Sequence, residues 1–167
     1  AFTGFELGQK GNWLYQNPLK YEEDCYREFV ECMEACNYQG PCAGDCYNHY
    51  YNQCLPNEVN VIKDDANTGK YSYHLSKGKL SKNGLTTNAR YILSYWRKSG
   101  SISISGVNLN VLLMNRTING WIYEERELNV TNSTIELSGN AILDDVRLYP
   151  VEARMETSAD DIVANKN

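Results

Sequence analysis

Six cysteines occupy thirty consecutive residues: Cys25, Cys32, Cys36, Cys42, Cys46 and Cys54. Two chemistries are open to them, oxidation to disulfides or thiolate ligation of a metal. Their positions are nearly mirror-symmetric about Gln39-Gly40-Pro41, a run of residues that favours a turn. Antiparallel pairing about a turn requires this symmetry, and it points to Cys36–Cys42, Cys32–Cys46 and Cys25–Cys54. The i,i+4 spacings Cys32-x3-Cys36 and Cys42-x3-Cys46 put each of those pairs on one helical face. Zinc is the rival, with His49 close by. Six thiolates are too many for one tetrahedral ion, however, and a metal site leaves the symmetry without a reason. The pairing remains an inference from spacing. Three disulfides imply a compartment more oxidising than the cytosol.

Beyond the cysteines the catalytic inventory is thin. His49 and His74 are the two histidines, and neither stands in a recognisable motif. No Gly-x-Ser-x-Gly, phosphate-cradling glycine loop or histidine-rich metal motif is present. Carboxylates are plentiful, but nothing singles out a glycosidase-like pair, so no enzyme activity is expected. A net charge of −5 and a pI of about 5.1, without a basic run, remove the electrostatic basis for nucleic-acid binding. No apolar run approaches the ~20 residues that span a bilayer. With Ala1 opening onto a strand-like segment, the chain reads as a mature or excised piece. Three sequons, at Asn115, Asn129 and Asn132, are acceptors only in a eukaryotic secretory route.

The elements that must hold these residues are mostly strands. Period-two segments run from Phe2 to Glu6, Trp13 to Tyr15, Val59 to Lys63, Lys70 to Leu75 and Arg90 to Arg97. They continue from Ser101 to Ser105, Leu109 to Met114, Trp121 to Val130, Thr134 to Leu137 and Ile142 to Tyr149. Asn67-Thr68-Gly69, Ser99-Gly100, Asn119-Gly120 and Ser138-Gly139-Asn140 are turn chemistry between them. Helical signals fill Tyr21 to Cys54. The fold class expected is mainly β: an antiparallel two-sheet jelly-roll sandwich with an inserted, disulfide-stapled α-helical hairpin. Residues 1–19 and 58–156 form the sandwich, 20–57 the hairpin and 157–167 a tail or linker. Thirteen tyrosines against three phenylalanines suggest half-exposed aromatic surfaces.

Phe5-Glu6, Asp65-Ala66-Asn67-Thr68-Gly69-Lys70-Tyr71-Ser72 and Tyr91-Ile92-Leu93-Ser94-Tyr95-Trp96 occur in that order. Gly120-Trp121 and Ile142-Leu143-Asp144-Asp145-Val146-Arg147-Leu148 follow. This ordered set resembles carbohydrate-binding modules with the galactose-binding-like jelly roll. The ending Asp145-Val146-Arg147-Leu148-Tyr149-Pro150, with Ala153-Arg154-Met155 after it, is similar to such domains in Bacteroidetes YD-repeat (Rhs-type) surface proteins. The resemblance covers Phe2 to Tyr15 and Val59 to Met155, leaving out the cysteine hairpin. It implies a structural calcium tying the first strand to the last, with Glu6 and Asp144 as ligands and Asp65 and carbonyls near Thr68 and Lys70 as additions. Strand alternation supports Asp144, which shares parity with Ile142, Val146 and Leu148 and so points to the buried face. The rival role for Glu6 and Asp144 is to accept backbone hydrogen bonds or cap turns.

A sugar-binding sandwich uses exposed aromatic platforms, and Trp13, Trp96 and Trp121, with Tyr15 and Tyr123, are the candidates. Tyr26, Tyr38, Tyr47, Tyr50 and Tyr51 of the hairpin, with Asn48 and Asn52, form a second candidate surface or else pack on the sandwich. Two functions follow. One is a non-catalytic extracellular or cell-surface binding module for glycans. The other is a structural or protein-interaction domain of a secreted or surface assembly, including self-assembly through an edge strand or the tail.

Overall fold

The computed structural model describes residues 2–5, 11–63 and 66–155. β1 (Phe2–Thr3) and β2 (Leu14–Tyr15) precede two helices, α1 (Glu22–Ala35) and α2 (Gly40–His49), the second running on as a π-helical turn, Tyr50–Glu58. Then come β3 (Val61–Lys63), β4 (Tyr71–His74), β5 (Leu80–Lys82), β6 (Arg90–Lys98) and β7 (Ile102–Ser105). β8 (Val107–Ile118), β9 (Trp121–Val130), β10 (Ile135–Gly139) and β11 (Ile142–Pro150) complete the strands, and a 3-10 turn, Val151–Met155, follows. All strand pairs are antiparallel. The larger sheet has the order β3-β4-β11-β6-β9-β8, with β1 also on β11, and the smaller has β2-β5-β10-β7. This is the two-sheet jelly-roll sandwich with a stapled helical insert that the strand and cysteine patterns predict. The chain passes from the smaller sheet to the larger at Gly106, whose φ is +86° and whose added Cβ would lie 2.5 Å from the Thr134 carbonyl.

Alternation places Tyr91, Leu93 and Tyr95 of β6, Leu128 and Val130 of β9, and Leu80, Ile135 and Leu137 of the smaller sheet in one core. The expectation of half-exposed tyrosines holds on the hairpin, at Tyr26, Tyr38, Tyr47 and Tyr51, but not in the sandwich, where Tyr73, Tyr95 and Tyr123 are fully buried. Each hydroxyl donates inside the protein: Tyr73 to the Gly78 carbonyl (3.2 Å), Tyr95 to Glu124 (2.8 Å) and Tyr123 to Glu125 (2.8 Å). Burial pushes all three hydroxyl pKa values up. A phenol can lie in a core when its one polar atom is satisfied there.

The bridges are Cys25–Cys54, Cys32–Cys46 and Cys36–Cys42, with Cα separations of 5.8, 5.9 and 5.8 Å, and no cysteine is free. The turn differs from the expected one. The reversal starts earlier, with Asn37, Tyr38 and Gly40 all at positive φ, while Gln39 is the extended residue at the N-cap position of α2 and Pro41 lies in its first turn. Proline's fixed φ and missing N–H suit a helix's first turn, so Pro41 begins the helix instead of reversing the chain. Met33, Ala43 and Cys46 form a small buried cluster between the helices, with Phe29 and Cys36 packed against it and the buried Cys25–Cys54 bridge at the root. So small an interior depends on its covalent closures. The hairpin's root is fixed by hydrogen bonds. Asn60 accepts the Lys20 N–H (2.8 Å) and donates to the Pro18 carbonyl (3.1 Å), and the Tyr21 hydroxyl donates to the Phe5 carbonyl (3.0 Å). The 157–167 tail lies outside the described residues.

Candidate functional site

The conspicuous irregularity of the sandwich is in β11. Ile142, Leu143 and Asp144 pair with Lys98, Arg97 and Trp96, the register shifts, and pairing resumes at Arg147 opposite Ser94. Asp145, in the bulge, has φ +50°, unusual for a residue with a Cβ. The bulge breaks the alternation used to orient Asp144. Leu143 before it and Val146 and Leu148 after it face the main core, whereas Ile142 packs with the Trp96 cluster on the other face. Asp144, opposite Trp96, is on that second face. It is nevertheless fully buried, because the loop before β4 closes over it.

That loop makes a compact oxygen cluster. One Asp144 oxygen accepts the N–H groups of Asn67 and Thr68, each at 2.9 Å, and the other accepts the Asp145 N–H at 2.9 Å. Asp145 accepts from the Thr68 hydroxyl (2.8 Å) and the Asn67 amide nitrogen (3.1 Å). The Asn67 amide oxygen is buried with no hydrogen-bond partner among the described residues. Burial, and then the Asp145 charge, push the Asp144 carboxyl up to about 8, against the backbone N–H bonds that pull it down. Neither aspartate makes an ion pair with a described residue. Two carboxylates, an unpartnered amide oxygen and a hydroxyl are the hard donors calcium takes, so the residues fit such an ion. Asn67 and Asp145 were not singled out as ligands in the sequence. Asp145 adjoining an expected ligand, and Asn67 in a turn motif, were the available signals. Glu6 and Asp65 lie outside the described residues, although β1 pairs with β11 at the bulge, Thr3 opposite Val146.

The tryptophans are packing residues. Trp13, Trp96 and Trp121 are 4%, 2% and 5% exposed. Trp13 sits in the main core, and Trp96 and Trp121 cluster with Tyr123 against Met114, Ile118 and Ile142. A ring so enclosed has no face for a sugar, which corrects the platform role expected of these three and of Tyr123. Tyr15 is half-buried against the core, its ring tilted onto Tyr73. Adjoining the tryptophan cluster is a feature invisible in the sequence, two successive buried glutamates on opposite faces of β9. Glu124 accepts from Arg97 and Tyr95, both at 2.8 Å, and lies near Arg126; despite burial, these groups hold its carboxyl below the usual range. Glu125, fully buried, accepts from Tyr123 and from Arg154 of the closing 3-10 turn. Successive strand residues point to opposite faces, so these two carboxylates cannot flank one scissile bond.

The hairpin provides the exposed aromatic surface. Phe29 lies 4.8 Å from Tyr50 and 5.0 Å from Tyr47 between ring centroids, Tyr50 lies 4.8 Å from Tyr51, and Tyr26 lies 6.4 Å from both Phe29 and Tyr50. Tyr26, Tyr47 and Tyr51 are 58%, 49% and 58% exposed. These tyrosines therefore face solvent and do not pack on the sandwich; Tyr21, T-shaped against Tyr71, is the one that does. The cluster follows from helical spacing, Tyr26 to Phe29 on α1 and Tyr47 to Tyr50 and Tyr51 across the end of α2. Asn48 and Asn52 bond each other at 2.7 Å.

No family model and no curated protein matches the chain. The likeness to carbohydrate-binding modules thus stands on short ordered motifs and a sandwich architecture. No helix among the described residues is long and apolar enough to cross a membrane.

Proposed function

We propose that the chain is a non-catalytic binding module of an extracellular or cell-surface protein, with the sandwich as scaffold and the stapled hairpin as its contact surface for a partner protein. The observation that carries this reading is the five-ring cluster of the hairpin, exposed at Tyr26, Tyr47 and Tyr51 while all three tryptophans are buried. Rigid, exposed tyrosines give large contact area at low entropic cost and are enriched where proteins meet. Three disulfides fit an oxidising exterior and hold the surface in one shape before binding. Glycan recognition, implied by the resemblance, would have to use rings other than the tryptophans. Self-assembly has its own supporting feature, since β8 is the last strand of the larger sheet and exposes Val111, Leu112 and Leu113.

One experiment separates these readings. A photo-crosslinking residue is placed at Tyr51 or at Leu112, and each protein is incubated with intact cells of its source. The expected result is a discrete protein adduct from position 51 that disappears when Tyr26 and Tyr47 are changed to alanine. Adducts between copies of the chain from position 112 alone would favour self-assembly. A glycan-array signal that survives Tyr26→Ala, Tyr47→Ala and Tyr51→Ala together would overturn the hairpin as the contact surface.

We further propose calcium as a structural cofactor held by Asp144, Asp145 and the Asn67 amide oxygen, where it would neutralise a buried carboxylate and fasten the loop before β4 to β11. Bound at about a hundred times its Kd, such an ion adds about 2.7 kcal/mol, so chelation is expected to lower Tm by about 5–10 °C. Asp144→Ala should remove the response to chelator. A Tm indifferent to chelator, with no calcium found by elemental analysis, would leave these residues a purely hydrogen-bonded role.

A further inference from the structure

The charge of this protein is unevenly placed. Between Lys20 and Glu58 there are eight carboxylates and two basic side chains, Lys20 and Arg27, a net charge of −6. The chain as a whole carries −5, so everything outside the hairpin sums to +1. The two cations are engaged on the hairpin itself. Lys20 bridges Glu28 (2.8 Å) and Glu58 (3.6 Å) at the root, and Arg27 pairs with Asp24 at 3.1 Å. Glu22, Glu31, Glu34 and Asp45 form no ion pair with a described residue. Glu22 stands one helical turn before Tyr26. Its field reaches the ring cluster: after burial and Tyr51, Glu22 is the next influence pushing the Tyr50 hydroxyl up.

Aromatic rings carry negative potential over their faces, and carboxylates beside them deepen it. The Tyr47 and Tyr51 rings stack, parallel within 4° at 6.2 Å between centroids, and about half of each residue is open to solvent. Such a surface attracts a cation and repels an anion, and a planar guanidinium or an ammonium group gains most from it. We infer that the hairpin binds lysine and arginine side chains of a basic partner protein, seating the cationic heads on the faces of Tyr26, Tyr47 and Tyr51 with Glu22 as counter-charge. This rests on the hairpin being the contact surface and adds the chemistry of its partner. A second copy of the chain is a poor occupant, because two faces of net charge −6 repel each other.

The test uses the intact, disulfide-bonded chain and three peptides of equal length, alternating glycine with arginine, lysine or glutamate. The arginine and lysine peptides are expected to bind, with affinity falling as salt is raised, and the glutamate peptide should not. Tyr47→Ala/Tyr51→Ala leaves the charge unchanged and is expected to weaken binding about tenfold. Tyr51→Phe, which keeps the ring, should retain affinity, and Glu22→Gln should weaken binding severalfold. Equal binding by wild type and the double tyrosine variant would reduce the attraction to unspecific charge and overturn the inference, as would no binding of either basic peptide. Crosslinks from position 51 to a partner segment without lysine or arginine would overturn the cationic chemistry and leave the hairpin as contact surface. Crosslinks confined to position 112 would overturn the contact surface itself, and this inference with it.

Discussion

Arg154→Ala is expected to destabilise the sandwich by about 3 kcal/mol, lowering Tm by about 10 °C, although Arg154 is 37% exposed and lies beyond the last strand. The reason lies in its partner. Glu125 is fully buried in β9, and among the described residues its partners are Arg154 and the Tyr123 hydroxyl. Removing the guanidinium leaves a carboxylate in the interior with one neutral donor, and an uncompensated buried charge is among the costliest single defects. Partial exposure of the arginine keeps the figure at the lower end of the range for buried pairs. Glu125→Gln added to Arg154→Ala should recover much of the loss, because the amide needs no counter-charge. Urea unfolding of wild type, single and double variants measures the coupling. An additive double variant would show that the pair contributes no interaction of its own. The consequence for organisation is that the 3-10 turn Val151–Met155 is part of the sandwich and not of whatever follows.

Loss of the outer disulfide should have a comparable effect, localised differently. Cys25 and Cys54 close a separation of 29 residues, against 14 for Cys32–Cys46 and 6 for Cys36–Cys42. In the chain-entropy estimate these correspond to about 3.6, 3.0 and 2.4 kcal/mol, so Cys25→Ala/Cys54→Ala should cost most. It also opens the hairpin at its root, where both half-cystines are buried. Hydrogen exchange should then show loss of protection in α1 and α2, with the strands of both sheets still protected. The Cys36→Ala/Cys42→Ala variant should be the mildest of the three. The reverse order would mean that the hairpin's stability depends on its tip.

Legibility in the sequence varied with the range of the interactions. Disulfide pairing could be read from spacing because a hairpin maps sequence symmetry directly onto spatial symmetry. Strand positions between turn residues could be read because period-two patterning is local. The reversal of the hairpin begins two residues before Gln39, at Asn37, and still includes Gly40, since Gly40-Pro41 serves a turn and a helix start equally well. Parity failed at Asp144 because a single bulged residue reverses every later assignment, and nothing at Asp144-Asp145 announces the bulge. Glu124-Glu125 looks like solvated charge until Arg97, Arg126 and Arg154 are brought to it from distant segments.

By itself, then, the sequence determined the disulfide pairing of six cysteines, the mainly β sandwich with its inserted helical pair, and the acidic excess of the hairpin. These depend on composition and on spacings within one element. The tertiary structure alone decided which aromatics face solvent. Trp13, Trp96 and Trp121 are covered by residues far away in the chain, whereas Tyr26, Tyr47 and Tyr51 stand on helices whose outer side no described strand covers. The same limit applies to the oxygen cluster at Asp144. Asn67 and Thr68 meet it across 76 or more positions of sequence, and that meeting is fixed by strand order and by a bulge, not by any local pattern.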